Sequence, residues 1–183
     1  MKQITPMCIF LVCALNVLQA QINTEELPYT WEKGKGEIKI TSIPIINLPN
    51  LDFETLYRED LNNEPSGTPY RFGFSHDVNL SLSNSGIWKN TSDGGRLWTL
   101  KIYSPDALSL NLLYDKFWLP DGAKFFIYSE DLKQNIGAFT SINNNAEKQN
   151  IKGFATGFLF TNSIVLEYYE PQGVYDEGVY FNF

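Results

Sequence analysis

The sequence predicts an all-β protein: an antiparallel, jelly-roll-like β-sandwich with one short helix N-terminal to it. From Tyr70 onward, apolar and polar residues alternate in short segments, and this period of two is that of β-strands. Turn residues separate the segments at intervals of about 8–12 residues, a spacing typical of sandwiches rather than of alternating strands and helices. Aromatic residues make up 15% of the chain, which suits half-buried pleated surfaces.

Residues 1–20 have the pattern of a signal peptide. Lys2 precedes a continuous apolar run over residues 7–17, and the small residue Ala20 precedes the expected cleavage point. The apolar run of about 11 residues is too short to cross a membrane as a helix, and no later stretch approaches that length. We therefore expect a secreted protein. An N-terminal anchor is the alternative, since Leu18 is large for the position three residues before the cut.

Both cysteines, Cys8 and Cys13, fall inside this first segment. Neither follows the small residue that would precede a lipid-modified cysteine, so we expect no lipid anchor. The mature chain then contains no cysteine, and it has no internal disulfide or thiolate metal site. Its stability must come from one core of the size that a single domain of this length can bury.

Residues 21–67 are predicted to be an entry segment with an edge strand and a short helix. Glu37–Ile46 alternates as a strand does, but Pro44 restricts it to a sheet edge. Leu51–Asn63 has helical periodicity, and Asn50 or Asp52 is positioned to cap its first turn. The apolar residues at helical spacing are Phe53, Leu56, Tyr57 and Leu61.

Residues 68–183 are predicted to form the sandwich. The expected strands are 97–103, 108–112, 123–128, 136–140, 164–169 and a last strand near the C-terminus. Gly122 and Gly137 are expected at turns or close backbone approaches. The side chains expected on inner sheet faces are Trp98, Leu100, Ile102, Leu110, Leu112, Phe126, Tyr128, Phe139, Leu166 and Tyr168.

Residues 70–171 resemble a domain found ahead of the catalytic domain in secreted lysyl-endopeptidase-like serine proteases of the trypsin fold, with related stretches in secreted proteins of the Bacteroidetes. The ordered matches are Arg71-Phe72-Gly73, Trp98-x-Leu100-x-Ile102, Ala107-x-Ser109-Leu110, Leu119-Pro120-Asp121-Gly122-Ala123, Tyr128, Gly137-Ala138-Phe139-Thr140, Asn143-Asn144 and Ile164-x-Leu166-Glu167-Tyr168-Tyr169. Leu51–Asp60 resembles the short helical approach of that family. The resemblance implies a non-catalytic pro- or accessory domain whose partner is a downstream or separate serine protease domain. It transfers no catalytic residue to this chain.

The residue inventory argues against catalysis, cofactors and nucleic acid. His76 is the only histidine, and its neighbour Asp77 would point to the opposite face of a strand, so we expect a loop or sheet-rim histidine. A net charge of −7 repels phosphate backbones. Carboxylates that suit calcium or glycoside hydrolysis by type lack any fixed spacing, and we interpret them as solvated: Glu54, Glu59, Asp60, Glu64, Asp93, Asp115, Asp121, Glu130 and Asp131. We expect no metal and no cofactor site.

Binding of a carbohydrate or cell-surface ligand is the alternative function. Aromatic side chains that stack on sugars are available at Trp31, Trp88, Tyr103 and Trp118. Trp98 and Trp118 fall at strand positions expected to face the core. Trp88 lies beside the polar loop at Asn90 and is the possible ligand-stacking residue.

Overall fold

The computed structural model describes residues 26–32 and 39–174, together with the backbone of a strand at 180–182. Its helices are α1 (Tyr29–Glu32) and α2 (Phe53–Asn63), with 3-10 turns at Ile40–Ser42, Glu64–Ser66, Ser141–Asn143 and Lys148–Asn150. Its strands are β1 (Ile45–Asn47), β2 (Ile87–Asn90), β3 (Arg96–Tyr103), β4 (Leu113–Tyr114), β5 (Lys116–Trp118), β6 (Lys124–Ser129), β7 (Asn135–Phe139), β8 (Phe154–Ala155), β9 (Ser163–Glu170) and β10 (Tyr180–Asn182). The signal-peptide prediction lies outside the described residues.

The main sheet has the order β1-β3-β9-β6-β7, and β2 also pairs with β3. Two strands share one edge of β3. The antiparallel strand β2 pairs with residues 96–99, and β1 pairs with residues 101–103 in parallel. The prediction of a largely β chain with few helices is confirmed. The sheet is mixed rather than purely antiparallel, because β1 runs parallel to β3. A long connection that contains α2 links β1 to β2, and β2 precedes β3.

One face of the sheet carries the larger apolar core. Trp98, Leu100 and Ile102 of β3 lie opposite Tyr168, Leu166 and Ile164 of β9, and all six side chains are buried together. Two short ladders, β4–β8 and β5–β10, supply part of the cover. Tyr114, Phe117 and Phe154 contact each other in this cover, with ring centroids 4.3–6.4 Å apart.

The opposite face is also covered. Tyr29, Trp31, Ile40 and Ile43 pack there against a second cluster that contains Leu97, Phe126, Tyr128 and Val165. Phe126 and Tyr128, predicted on inner sheet faces, are buried in this second cluster, whereas Phe125 and Ile127 are buried on the face that carries Trp98. A strand buried on both faces reads as a continuous apolar run, so its sequence does not show which side faces which layer.

Several elements of the structure differ from the predicted ones in their type or bounds. Residues 37–46 do not form one strand, because a 3-10 turn precedes Pro44 and β1 begins only at Ile45. The segment 108–112 forms a single antiparallel bridge, between Leu110 and Leu159. The helix and its cap are confirmed, since the Asp52 side chain accepts hydrogen bonds from Thr55 N at 3.0 Å and Thr55 Oγ1 at 2.7 Å.

Part of the predicted entry segment belongs to the main sheet. β1 extends that sheet, and Tyr29 and Ile43 are buried against it. Gly137 has the expected role, with φ of 124° and space for no side chain, since a Cβ there would lie 2.6 Å from the Phe125 carbonyl oxygen. Gly122 has φ of 83° in the turn before β6, a conformation that glycine adopts without strain.

Candidate functional site

Trp88 is held by its neighbours and does not stand free on the surface. It lies on β2, half-buried, and its Nε1 donates to the Leu82 carbonyl oxygen at 3.1 Å. One face of the indole is covered by the Arg96 guanidinium, whose carbon lies 4.4 Å from the ring centroid. A sugar that stacked on this face would have to displace that cation–π contact.

Arg96 itself is anchored by the buried carboxylate of Glu170, with which it forms an ion pair across β3 and β9. The Tyr168 hydroxyl donates to the same carboxylate at 3.0 Å, and burial raises the pKa of that tyrosine well above its usual value. A cleft of about 430 Å³ opens beside Arg96 at the β2–β3 turn, lined also by Asn90, Gly94 and Gly95. The sequence placed Trp88 near this loop, but the role of Arg96 depends on a cross-strand contact that the sequence does not display.

His76 lies in an irregular segment, half-buried, with its ring 5.2 Å from that of Phe74. The loop position agrees with the prediction, although the segment is not a strand. No hydrogen bond links His76 to a carboxylate or a hydroxyl in the described part of the chain.

The carboxylates at turns are dispersed and engaged locally. Asp93 accepts from Thr91 Oγ1 at 2.6 Å, and Asp131 accepts from Ser129 Oγ at 2.7 Å, which lowers the pKa of Asp131 to about 2. Across residues 26–32 and 39–174, no three His, Cys, Asp or Glu side chains come together as metal ligands.

A buried carboxylate in the centre of the sheet was not singled out by the sequence. Glu167 of β9 is 0% exposed and faces the short helix α1, which contains Thr30. Its Oε2 accepts from Thr30 Oγ1 at 2.5 Å and from the Tyr128 hydroxyl at 3.2 Å. The Thr30 amide lies 3.4 Å from both oxygens. No cation accompanies Glu167 among the described residues, and burial raises its pKa to about 7.

This Glu167 cluster ties the N-terminal segment to the sheet. Thr30 donates to Glu167 through its backbone and its hydroxyl, and the same hydroxyl lies 2.9 Å from the Tyr128 hydroxyl. Tyr29 stacks on Tyr169 with ring centroids 5.2 Å apart, so aromatic packing flanks the polar contacts. The cluster is closed to solvent, and it joins α1 to β6 and β9 through a carboxyl group whose pKa is raised by burial.

Large apolar side chains are exposed along α2 and in the segment that follows it. Phe53, Tyr57 and Leu61 recur every four residues along α2 and are 40–60% exposed, and no residue of the helix is buried. Farther along, Tyr70 is 48% exposed and Phe72 is 95% exposed. We call these five residues the helical face.

Polar contacts fix the two halves of the helical face together. Arg71 donates to Asp60 at 2.7 Å and to Glu59 at 2.9 Å, which holds the chain around Tyr70 and Phe72 against α2. Tyr70 also lies near Glu64, and partial burial together with that carboxylate raises its pKa. The acidic residues of this region outnumber its basic ones: Asp52, Glu54, Glu59, Asp60 and Glu64 against Arg58 and Arg71.

A second cleft, of about 320 Å³, lies between β5 and the 3-10 turn at 148–150, lined by Lys116, Lys148, Gln149, Asn150 and Ile151. Trp118 of β5 is half-buried, and the Lys148 ammonium lies 4.7 Å from its ring centroid. The core position predicted for Trp118 is therefore wrong, since its ring meets a surface lysine. Lys116 and Lys148 are distant in sequence, so no local motif identifies this cleft.

No family model and no solved structure matches the chain. In the parts of the chain that the structure describes, no helix combines the length and apolar character needed to cross a bilayer.

Proposed function

We propose that this chain is the non-catalytic N-terminal pro- or accessory domain of a secreted, lysyl-endopeptidase-like serine endopeptidase, and that the helical face contacts the protease domain. The observation that carries the proposal is the helical face itself. Phe53, Tyr57 and Leu61 form an apolar row on a helix that buries no residue in this chain. Contiguous exposed apolar surface of this kind marks an interaction site.

The spacing of the row suits insertion into a groove. Residues four apart lie on one side of a helix, and such rows serve as anchors in helix-in-groove recognition. The surrounding excess of carboxylates favours a groove with a basic rim, which would guide association and orientation. The Leu51–Asp60 segment is also part of the resemblance to the region ahead of the protease domain, so the same residues support the proposal in two ways.

We also propose, as the finer description of the fold, a jelly-roll-like sandwich in which the β4–β8 and β5–β10 ladders form the second layer. Their aromatic contacts across the larger core support this arrangement. A crystal structure in which these ladders joined the main sheet edge to edge would contradict it.

Two experiments test the proposed function. The first is the mass of the native secreted product, identified by its tryptic peptide Ile102–Lys116. A product much larger than this chain that also yields trypsin-fold peptides supports the proposal. A product with only the mass of the signal-free chain contradicts a covalently linked protease, and a separate protease partner then has to be found by the binding measurement.

The second experiment measures binding of the signal-free chain to a purified lysyl-endopeptidase-type protease by biolayer interferometry. Phe53→Ser combined with Tyr57→Ser should abolish the interaction without lowering the free energy of unfolding, because neither side chain is buried. Leu113→Ser, at an exposed position of β4, is the matched control and should bind as the unmodified chain does. Equal binding by all three proteins would refute the assigned surface.

Glycan binding beside Trp88 is the alternative function. The cleft at the β2–β3 turn presents a guanidinium and the Asn90 side chain next to an indole, a combination suited to sugar hydroxyls. On a glycan array, Trp88→Ala should remove the signal from neutral glycans if this alternative is right. The helical-face variants should leave the signal unchanged, which separates the two functions.

A further inference from the structure

The second cleft collects positive charge in an acidic protein. Lys116 begins β5, and Lys148 begins the 3-10 turn on the other side of the cleft. The Lys148 ammonium lies 4.7 Å from the Trp118 ring centroid beside this cleft. We call Lys116, Lys148 and Trp118 the lysine cleft.

In the part of the chain that the structure describes, no ion pair with a carboxylate is formed by Lys116 or Lys148. Arg58, Arg71, Arg96, Lys101, Lys124 and Lys133 all form ion pairs with carboxylates. Within the described ranges, the lysines that form no such pair are Lys39, Lys89, Lys116, Lys148 and Lys152. Two of these five, Lys116 and Lys148, line the same cleft. Like charges held near each other repel, so an anion that binds between them lowers that repulsion.

The other groups of the cleft are those that recognise sugars. The half-buried Trp118 offers an indole surface, and the Lys148 side chain that now lies over it is long and exposed, so it is free to turn toward a ligand. Gln149 and Asn150 add amide donors and acceptors that match hydroxyl groups. A volume of about 320 Å³ lies within the range of small-ligand clefts.

We propose that the lysine cleft binds an acidic polysaccharide, with carboxylate or sulfate groups on the lysines and a sugar ring against Trp118. An acidic peptide would use the lysines equally well but would leave the indole without a matching partner. The inference is independent of the proposed protease partner and of Trp88, because none of these residues belongs to the helical face or to the β2–β3 turn.

The test is affinity electrophoresis of the signal-free chain in gels that contain alginate, dextran sulfate, neutral dextran or poly-glutamate, run at low ionic strength because salt screens surface charges. Retardation by alginate supports carboxylate recognition, and retardation by dextran sulfate alone supports sulfate recognition. Neutral dextran should have no effect. Retardation by poly-glutamate equal to that by the polysaccharides would overturn the assignment to sugars, and so would mobility unchanged in every gel.

Matched variants locate the site. Lys116→Gln combined with Lys148→Gln should weaken binding about tenfold or more, the loss expected when charge-assisted hydrogen bonds are removed. Lys39→Gln combined with Lys89→Gln removes the same charge elsewhere and should change affinity less than twofold. Equal losses of polysaccharide affinity in the two double variants would show nonspecific electrostatic attraction and refute the site. Trp118→Leu should weaken alginate binding while thermal unfolding stays cooperative; unchanged binding would refute the stacking contact.

Discussion

Replacing Glu167 with glutamine tests whether a buried carboxyl group makes the attachment of the N-terminal segment depend on pH. Glutamine keeps the shape and can still bond to Thr30 and Tyr128, but it has no proton to gain or lose. In the unfolded chain the carboxyl has an ordinary pKa near 4.5, whereas burial raises its pKa to about 7 in the folded protein. The folded protein therefore binds this proton more tightly than the unfolded chain does.

The sign and the size of the effect follow from that difference. The contribution of Glu167 to stability is fully present below pH 4.5 and is lost as the pH rises through about 7. The separation of the two pKa values corresponds to about 3 kcal/mol in the free energy of unfolding. The glutamine variant lacks this loss, so its stability relative to the unmodified protein should rise by about 3 kcal/mol between pH 4.5 and pH 8.

The measurement is urea unfolding of both proteins at several pH values between 4.5 and 8, followed by tryptophan fluorescence. Glu130→Gln is the control, because hydrogen bonds from Lys101 and Ser163 lower the pKa of Glu130, and its contribution is lost only as the pH falls below the ordinary value. The difference between this control and the unmodified protein should stay flat above pH 5. A flat difference for Glu167→Gln as well would refute the reasoning.

Three further substitutions have defined outcomes. Gly137→Ala places a methyl group against a backbone oxygen at a residue with positive φ, and it should lower the free energy of unfolding by about 2 kcal/mol or more in a denaturant titration. Gly73 has open space around it, so Gly73→Ala should change the free energy of unfolding by less than about 0.5 kcal/mol in the same titration. Asp52→Ala removes the helix cap and should cost about 1 kcal/mol locally, measured as faster amide exchange in the first turn of α2 with unchanged exchange in β9. Arg96→Met leaves the carboxylate of Glu170 buried without its cation and should lower the free energy of unfolding by about 3 kcal/mol; a loss below 1 kcal/mol would show that the ion pair is dispensable.

The strands at the centre of the sheet were predictable because their sequences carry the signal locally. In β3, Trp98, Leu100 and Ile102 recur at every second position, and in β9, Ile164, Leu166 and Tyr168 do the same, so both strands and their shared core face follow from the period of two. In β6 the residues from Phe125 to Tyr128 are all apolar because both faces are buried. The sequence therefore identifies the strand but not which layer Phe126 faces. The shortest strands, β4 and β8, contain two residues each and depend on tertiary pairing.

The candidate sites were less predictable than the fold. Trp88 could be picked out as an aromatic residue near a polar loop, but its cover by Arg96 is a contact across the β2–β3 hairpin. In the sequence, Glu167 looks like an ordinary outward-facing strand residue, and it is the packing of α1 on this face that buries it. Lys116 and Lys148 line the same cleft because the 3-10 turn at 148–150 packs beside β5. No local sequence pattern predicts this tertiary contact.

The shared edge of β3 has a consequence for how the molecule varies. The segment 48–86 begins after β1 and ends before β2, and both of these strands pair with the same edge of β3. The segment is therefore a long loop whose two ends are fixed at one edge of the sheet. Leu48, Leu80 and Leu82 near the ends of this segment pack against the larger core, and the Ser85 carbonyl oxygen accepts from Trp98 Nε1 at 2.7 Å, so the ends belong to the core. Between these ends the length of the segment can change at little entropic cost, because closing a longer loop adds only slowly to the free energy of folding. The helical face lies in this middle part, so the surface proposed to meet a partner can vary while the residues that pack on the sheet stay the same.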